Sequence, residues 1–315
     1  MVKNFNLSYP VQTVSFDGVE VTALSDDDII RKMGYLQDAG IRLAMLFGYH
    51  LEEKSAFDMD EESKRIGELF RKNGFRITQH HSVVPSFSAG DTPQSKTIDR
   101  IKRCIDFTAN LGAENIVFHA GRVFGHYSTG EEYNQEFLKE AGRIGIRNLL
   151  ELCAENLRAA GDYAAGCNVK IALENVERSE PFCDPVYLPE LIALVDHPAV
   201  GFCLDSGHAH CAGNDPVQWI KTMNRKVFTT HLHDNRGADE RIKPGDTSLL
   251  STSGIDEHLT PGLGTIDWRK VIKALREYTA LQDLTFETNG WPLADPAEGF
   301  KMAIKFWRLL EEKSL

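Results

Sequence analysis

Four short stretches concentrate the residue types that hold cations and move protons: Ala172-Leu173-Glu174-Asn175, Cys203-Leu204-Asp205-Ser206-Gly207-His208, Thr230-His231-Leu232-His233-Asp234-Asn235 and Thr285-Phe286-Glu287-Thr288-Asn289. Each is an apolar, β-branched or aromatic run that ends abruptly in carboxylates or imidazoles, as a strand does when it empties into a site. Carboxylates that converge on one point repel each other strongly unless a cation sits among them. Oxygen-rich ligation with one imidazole suits Mn²⁺, Co²⁺, Mg²⁺ or Zn²⁺, so these residues predict one divalent ion of open identity.

The elements that must position these groups follow from the periodicity. Strands are expected at Phe5–Tyr9, Ile41–Phe47, Phe75–Val83, Asn115–His119, Val169–Val176, Val200–Asp205, Val227–Asp234 and Leu284–Asn289. Helices are expected at 26–37, 60–72, 94–111, 134–165, 188–195, 216–223, 268–278 and 295–310. Gly40, Gly74, Gly112 and Gly166 each stand just before a strand, as helix stops do. Regular alternation implies a parallel sheet with helical crossovers, and eight units predict a single-domain α/β fold, the (β/α)₈ TIM barrel. An open doubly wound sheet is the alternative, but neither a G-x-G-x-x-G after the first strand nor a P-loop is present. In a barrel, residues two apart share a face and catalytic groups gather at the C-terminal strand ends. Glu174, Asp205, His231 or His233, and Glu287 then point into one cup. His80, His81 and His119 end the third and fourth strands and line the cup, bind further metal or hydrogen-bond substrate; His50, His126, His197 and His210 read as surface or packing residues.

Composition narrows the partners. The chain has 315 residues, 42% of them hydrophobic, enough for a large core. A formal net charge of −11 argues against gripping a phosphate backbone, so no nucleic-acid partner is expected. No stretch approaches 18 uninterrupted apolar residues and the first ten carry no apolar leader, so no membrane partner and a cytoplasmic location are expected. The six cysteines include no C-x-x-C pair and read as buried thiols of a reducing compartment. The stretch 236–266 reads as a lid or insertion loop after the seventh strand, with Arg236, Arg241 and Lys243 above a small ligand. Such barrels also form homo-oligomers, though no residue argues for one.

The ordered set Leu173-Glu174-Asn175, Leu204-Asp205-Ser206-Gly207-His208, His231-Leu232-His233-Asp234-Asn235, Asp256 to Trp268 and Phe286-Glu287-Thr288 resembles the xylose isomerase-like TIM-barrel superfamily, within it the sugar phosphate isomerase/epimerase branch. The resemblance covers essentially the whole chain. It implies one divalent metal held by Glu174, Asp205, His233 and Glu287, with His231 as the alternative ligand from the seventh strand. In the apurinic-site endonucleases of the same superfamily that ligand corresponds to His231, and His119, Asp205, His208, Asp256 and His258 correspond to residues that help hold three zinc ions.

The chemistry implied is that of a metal-dependent sugar isomerase or epimerase: proton abstraction next to a carbonyl, a metal-stabilised ene-diolate, and Glu174 and Glu287 as the catalytic proton carriers. Substrate-binding roles fall to His119, His208, His231, His258, Arg236 and Trp291, with Phe286 or Trp291 able to stack on a sugar ring. The same start followed by loss of a β-hydroxyl gives a dehydratase, the alternative reading. An endonuclease-like phosphodiesterase ranks behind both. Hydride-shift isomerisation is disfavoured because no Lys stands at a strand's C-terminal end.

Overall fold

The apolar runs that precede the ligand-type residues form the staves of a barrel. In the computed structural model, which describes residues 4–17, 20–47, 58–82, 87–88, 94–120, 123–124, 130–177, 181–238 and 256–314, eight parallel strands alternate with helices. The strands are β1 (Asn6–Pro10), β2 (Leu43–Phe47), β3 (Arg76–His81), β4 (Asn115–His119), β5 (Lys170–Glu174), β6 (Val200–Asp205), β7 (Val227–His231) and β8 (Asp283–Thr285). From β2 to β7 each pairs with its predecessor in the chain, and β8 returns beside β1 in the register Asn6↔Asp283, Leu7↔Leu284, Ser8↔Thr285. The seam between β7 and β8 is closed by the Leu232↔Phe286 bridge, by Leu232 N donating to Thr285 O at 2.9 Å and by Thr230 Oγ1 donating to the same carbonyl at 3.1 Å.

Among the described residues the helices are α1 (Asp26–Asp38), α2 (Met59–Lys72), α3 (Gln94–Leu111), α4 (Gly130–Ile144), α5 (Ile146–Gly166), α6 (Tyr187–Val195), α7 (Ser206–Cys211), α8 (Pro216–Met223), α9 (Trp268–Tyr278) and α10 (Pro296–Glu312). Side-chain caps start several of them, Ser25 on α1, Asp58 on α2, Asp215 on α8 and Asp295 on α10, each accepting from a backbone N–H of the first turn. The single helix expected over 134–165 is two, broken at Gly145, whose φ of +87° no helix tolerates and glycine adopts readily. Periodicity also missed α7, only six residues long, and the hairpin Val14–Asp17/Glu20–Ala23 between β1 and α1. Five strands, the second, third, fifth, seventh and eighth, are shorter than expected. The eighth ends at Thr285 and the seventh at His231, beyond which only isolated bridges continue the pairing.

Two apolar layers fix the cup. Between strands and helices, Trp307 of α10 packs edge-on against Trp268 of α9 and Phe286 at 5.5 and 4.9 Å, and Tyr9 of β1 stacks on Phe286 at 4.9 Å. Burying each such ring contributes about 1.5–3 kcal/mol, so Phe286 is a packing residue that anchors the end of β8. Inside the bore the fill is small, Val117, Ala172 and Cys203, with Thr229 donating to Gln79 Oε1 below. Small residues there leave room for larger polar side chains one level up. No helix among the described residues is long and apolar enough to cross a membrane. Of the lid stretch 236–266, residues 239–255, including Arg241 and Lys243, lie outside the described residues, as do His50 and His126.

Candidate metal centre

Five consecutive strands end on a ligand-type residue: His81 on β3, His119 on β4, Glu174 on β5, Asp205 on β6 and His231 on β7. Glu287 lies two residues past β8, with its N–H donating to Leu232 O at 3.1 Å. One ligand atom each from Glu174, Asp205, His231 and Glu287 can be chosen so that all lie within 4.8 Å of one another, and the same holds for His81, His119 and Glu174. Nδ1 of His231 stands 3.1 Å from Glu174 Oε1 and 3.2 Å from Glu287 Oε2. His81 Nε2 is 3.1 Å and His119 Nε2 3.6 Å from Glu174 Oε2. Glu174, Asp205 and His231 are 0% exposed and Glu287 8%.

The four residues fit a cation. Both carboxylate oxygens of Glu174, both ring nitrogens of His231 and Oε2 of Glu287 are buried with no hydrogen bond of good geometry. Carboxylates at this spacing repel by about 3–4 kcal/mol per pair at an effective dielectric near 20. In the metal-free chain the imidazoles absorb that charge. Burial opposes ionisation of Glu174, but the charge of His231 and the adjoining His208 and His81 hold its carboxyl well below the usual carboxylate range. Burial likewise opposes protonation of His231, yet Cys203, Glu174 and Glu287 around it hold it well above the ordinary imidazole value. A divalent ion would take over the role of those protons.

His233 does not join this group. It shares a barrel face with His231 but lies one level above, past the end of β7, so its ring sits over α7 with Nε2 2.9 Å from Asp205 Oδ1. There it belongs to a third group with His208, Asp256 and His258, whose ligand atoms also lie within 4.8 Å of one another. The structure groups His231, the alternative named from sequence, rather than His233 with Glu174, Asp205 and Glu287. In the third group His208 Nδ1 donates to Asn175 O at 3.1 Å and His258 Nδ1 to Glu287 O at 3.0 Å. These bonds turn both Nε2 atoms toward Asp256 Oδ2, at 3.1 and 2.9 Å, the way outer partners orient ligating imidazoles. Burial works against protonation of His258, but Asp256 and Glu287 raise it to about 9. His208, pressed by Asp205, Asp256 and Glu174, is also held well above its ordinary value despite burial.

The motif between Asp234 and Trp268 builds this second wall. The buried Asp234 carboxylate accepts from Gly262 N at 2.8 Å, Ile266 N at 3.1 Å and Trp268 Nε1 at 2.8 Å, while Asp234 and Leu259 pair through their backbones. A β-carbon at Gly264 would stand 2.3 Å from Asp234 Oδ1, which explains glycine there. Asp256 and His258 hang from the segment thus clamped.

The remaining expected residues scatter. Arg236 is paired with Glu257. Trp291 packs edge-on against Phe306 and lines a cavity of about 480 Å³ with His258, Leu263, Asn289 and Tyr35. His81, expected from its strand end to line the cup or bind further metal, and Asp256, which the resemblance to the endonucleases placed among metal-holding residues, both stand within ligand distance of their groups.

A family model for the xylose isomerase-like TIM barrel matches residues 33–310. The chain belongs to this family. An inosose dehydratase of Clostridium botulinum (strain Alaska E43 / Type E3) is 27% identical over 170 residues, 52% of this chain and 54% of that protein. A probable endonuclease 4 of Mycobacterium ulcerans is 24% identical over 179 residues, 56% of this chain and 58% of the relative. The chain thus spans about half the length of the curated relatives it matches. A solved L-ribulose 3-epimerase superposes with a TM-score of 0.66 at 16% identity, covering 99% of this chain and 96% of that one. An IolI protein with a bound zinc atom does so at 0.62 and 18% identity, covering 90% and 92%. At these identities the likeness is one of fold. The relatives and fold neighbours of this xylose isomerase-like barrel thus include sugar epimerases and an inosose dehydratase.

Proposed function

We propose that this chain is a divalent-metal-dependent isomerase or epimerase of a sugar or keto-sugar, with one ion held by Glu174, Asp205, His231 and Glu287. The observation that carries the reading is that glutamates from β5 and from the end of β8 flank one imidazole nitrogen at 3.1 and 3.2 Å. When bound, the ion supplies positive charge that polarises adjacent substrate oxygens and so acidifies the neighbouring C–H. Glu174 and Glu287, approaching from different strands, remove and return the proton. Return from the opposite side inverts the carbon, and return to the neighbouring carbon interconverts aldose and ketose. Loss of a β-hydroxyl after the same first step makes the reaction a dehydration, the activity named in the inosose dehydratase relative. Glu287, the more accessible of the pair, meets the substrate first, while His119 and His208 orient hydroxyls.

The test is deuterium exchange. Protein stripped with chelator and reloaded singly with Mn²⁺, Co²⁺, Mg²⁺ or Zn²⁺ is incubated in D₂O with ketoses and inososes. Deuterium should enter the carbon next to the carbonyl with at least one ion, and Glu287→Gln should abolish it; no exchange with any ion and any substrate would overturn the reading. An unsaturated carbonyl product would mark dehydration.

The third group, adjoining the first through Asp205 and His208, favours a second reading, hydrolysis of a phosphate ester, since neighbouring ions clamp phosphoryl oxygens. The net charge of −11 weighs against a nucleic-acid backbone as its substrate. Binding to abasic duplex with a steep salt dependence would favour it.

A further inference from the structure

Below the candidate ion lies a residue that an oxygen-and-imidazole site does not require. Cys203 is the β6 residue two before Asp205, so it faces the bore one level down, 0% exposed, among Val117 and Ala172. Its Sγ, a carboxylate oxygen of Glu174 and a ring nitrogen of His231 all lie within 4.8 Å of one another. The thiol is not alone in pointing there. Both oxygens of Glu174 and both nitrogens of His231, fully buried, lack a hydrogen bond of good geometry, so three side chains able to ligate a metal converge on one buried space.

The separation has the right scale. Zinc bonds of about 2.3 Å to sulfur and about 2.0–2.1 Å to nitrogen or oxygen, at tetrahedral angles, put donor pairs roughly 3.3–3.6 Å apart, so side-chain movements of up to about 1 Å bring the three onto one ion. Sulfur binds zinc, cobalt or cadmium and ignores magnesium or manganese, which prefer oxygen.

We infer that Cys203 is a sulfur ligand of the cation held by Glu174 and His231, and that it makes the centre select a thiophilic divalent ion over Mg²⁺ and Mn²⁺. The inference rests on the reading of that group as a cation site. The sulfur–metal bond forms as the S–H bond breaks, and the thiol proton passes to solvent, so no oxidant or reductant takes part.

The experiment is X-ray absorption at the zinc edge on full-length protein stripped with chelator and reloaded with one equivalent of Zn²⁺, beside Cys203→Ser and Cys203→Ala treated alike. Expected is one sulfur scatterer near 2.3 Å in the parent chain and none in either variant. Zinc affinity should fall about 10–100-fold on removal of the thiol, while Mn²⁺ affinity changes less than about threefold. The parent spectrum decides the matter even if a variant folds poorly. Stoichiometric zinc with nitrogen and oxygen scatterers only would overturn the inference and leave the cation site standing. Sulfur scattering that persists in folded Cys203→Ser would assign the metal to another cysteine and equally overturn it. Failure to take up any divalent ion would overturn both the inference and the reading beneath it.

Discussion

Gly207→Ala tests His231 against His233 without substituting either. A β-carbon at Gly207 would stand 2.0 Å from His233 Cε1 and 2.2 Å from its Nδ1, whereas ordinary contact begins at 3.4 Å. The ring must retreat by the difference, 1.4 Å. Its Nε2 bonds to Asp205, 2.9 Å to Oδ1 and 3.1 Å to Oδ2, then stretch past hydrogen-bonding range. Overpacking costs about 1–3 kcal/mol and a lost hydrogen bond to a charged group about 1.5–3 kcal/mol, so the variant should unfold with about 3–5 kcal/mol less stability in urea. The effect on the ion should be smaller. Under the His231 assignment His233 reaches the ion only through Asp205, and loss of such an outer partner weakens binding about 10–100-fold. Removing a ligand outright, as in His231→Ala, should weaken it well beyond that range. Competition against a chromophoric chelator measures both. Gly207→Ala binding as poorly as His231→Ala would place His233 on the ion, and unchanged urea stability would refute the packing on which the distances rest.

Asp234→Ala leaves the buried donors Ile266 N and Trp268 Nε1 and the more exposed Gly262 N without their acceptor; at about 1–3 kcal/mol for each buried donor, the loss should reach about 3–5 kcal/mol, read as a lower urea midpoint. Cation binding should release protons. Because His231, His208 and His258 are held above their ordinary values, each must surrender a proton to ligate, so affinity should rise with pH through the neutral range; calorimetry in buffers of different ionisation enthalpy checks this, and pH-independent affinity would refute it. In metal-free protein the sign for folding is opposite. A histidine raised to about 9 contributes stability that is fully present below its unfolded value of about 6.5 and is lost as pH rises through 9. The urea midpoint should fall across that window, and His258→Asn should flatten the slope.

Much of the barrel was legible because its repeat is carried by strong signals. The helices at 94–111, 216–223 and 268–278 and the strands at 115–119 and 200–205 lie where periodicity and glycine stops put them. Gly145 shows the converse: one residue with positive φ splits a continuous apolar pattern, and nothing in that pattern marks it. At the site, two-residue alternation put Glu174, Asp205 and Glu287 at one rim, where the structure also groups them. It could not choose between His231 and His233, which share parity. The structure sets the two apart by where β7 stops pairing and by Gly207, whose missing side chain opens the space His233 fills. Both are facts of packing between strands. Similarly, the reasons for glycine in the 262–264 turn, a φ of +96° and the Phe306 ring at Gly262 and the Asp234 carboxylate at Gly264, became visible only in three dimensions.

The donor balance of the two groups implies an order of filling. The Glu174 group holds three carboxylates and one imidazole, so a cation there cancels repulsion that nothing else removes completely. The Asp256 group holds one carboxylate and three imidazoles, and its charge is already met by protons on His208 and His258. An ion entering the second group must displace those protons and gains little from relieved repulsion. The first group should therefore fill at lower metal concentration and lower pH, and the second only as zinc or alkalinity increases. The single-ion proton transfer and the multi-ion phosphate chemistry thus occupy different parts of one titration. Elemental analysis across that titration, with Glu287→Gln removing the first step and Asp256→Asn only the second, connects metal count to chemistry; an Asp256→Asn variant that loses the first equivalent would refute the order argued here.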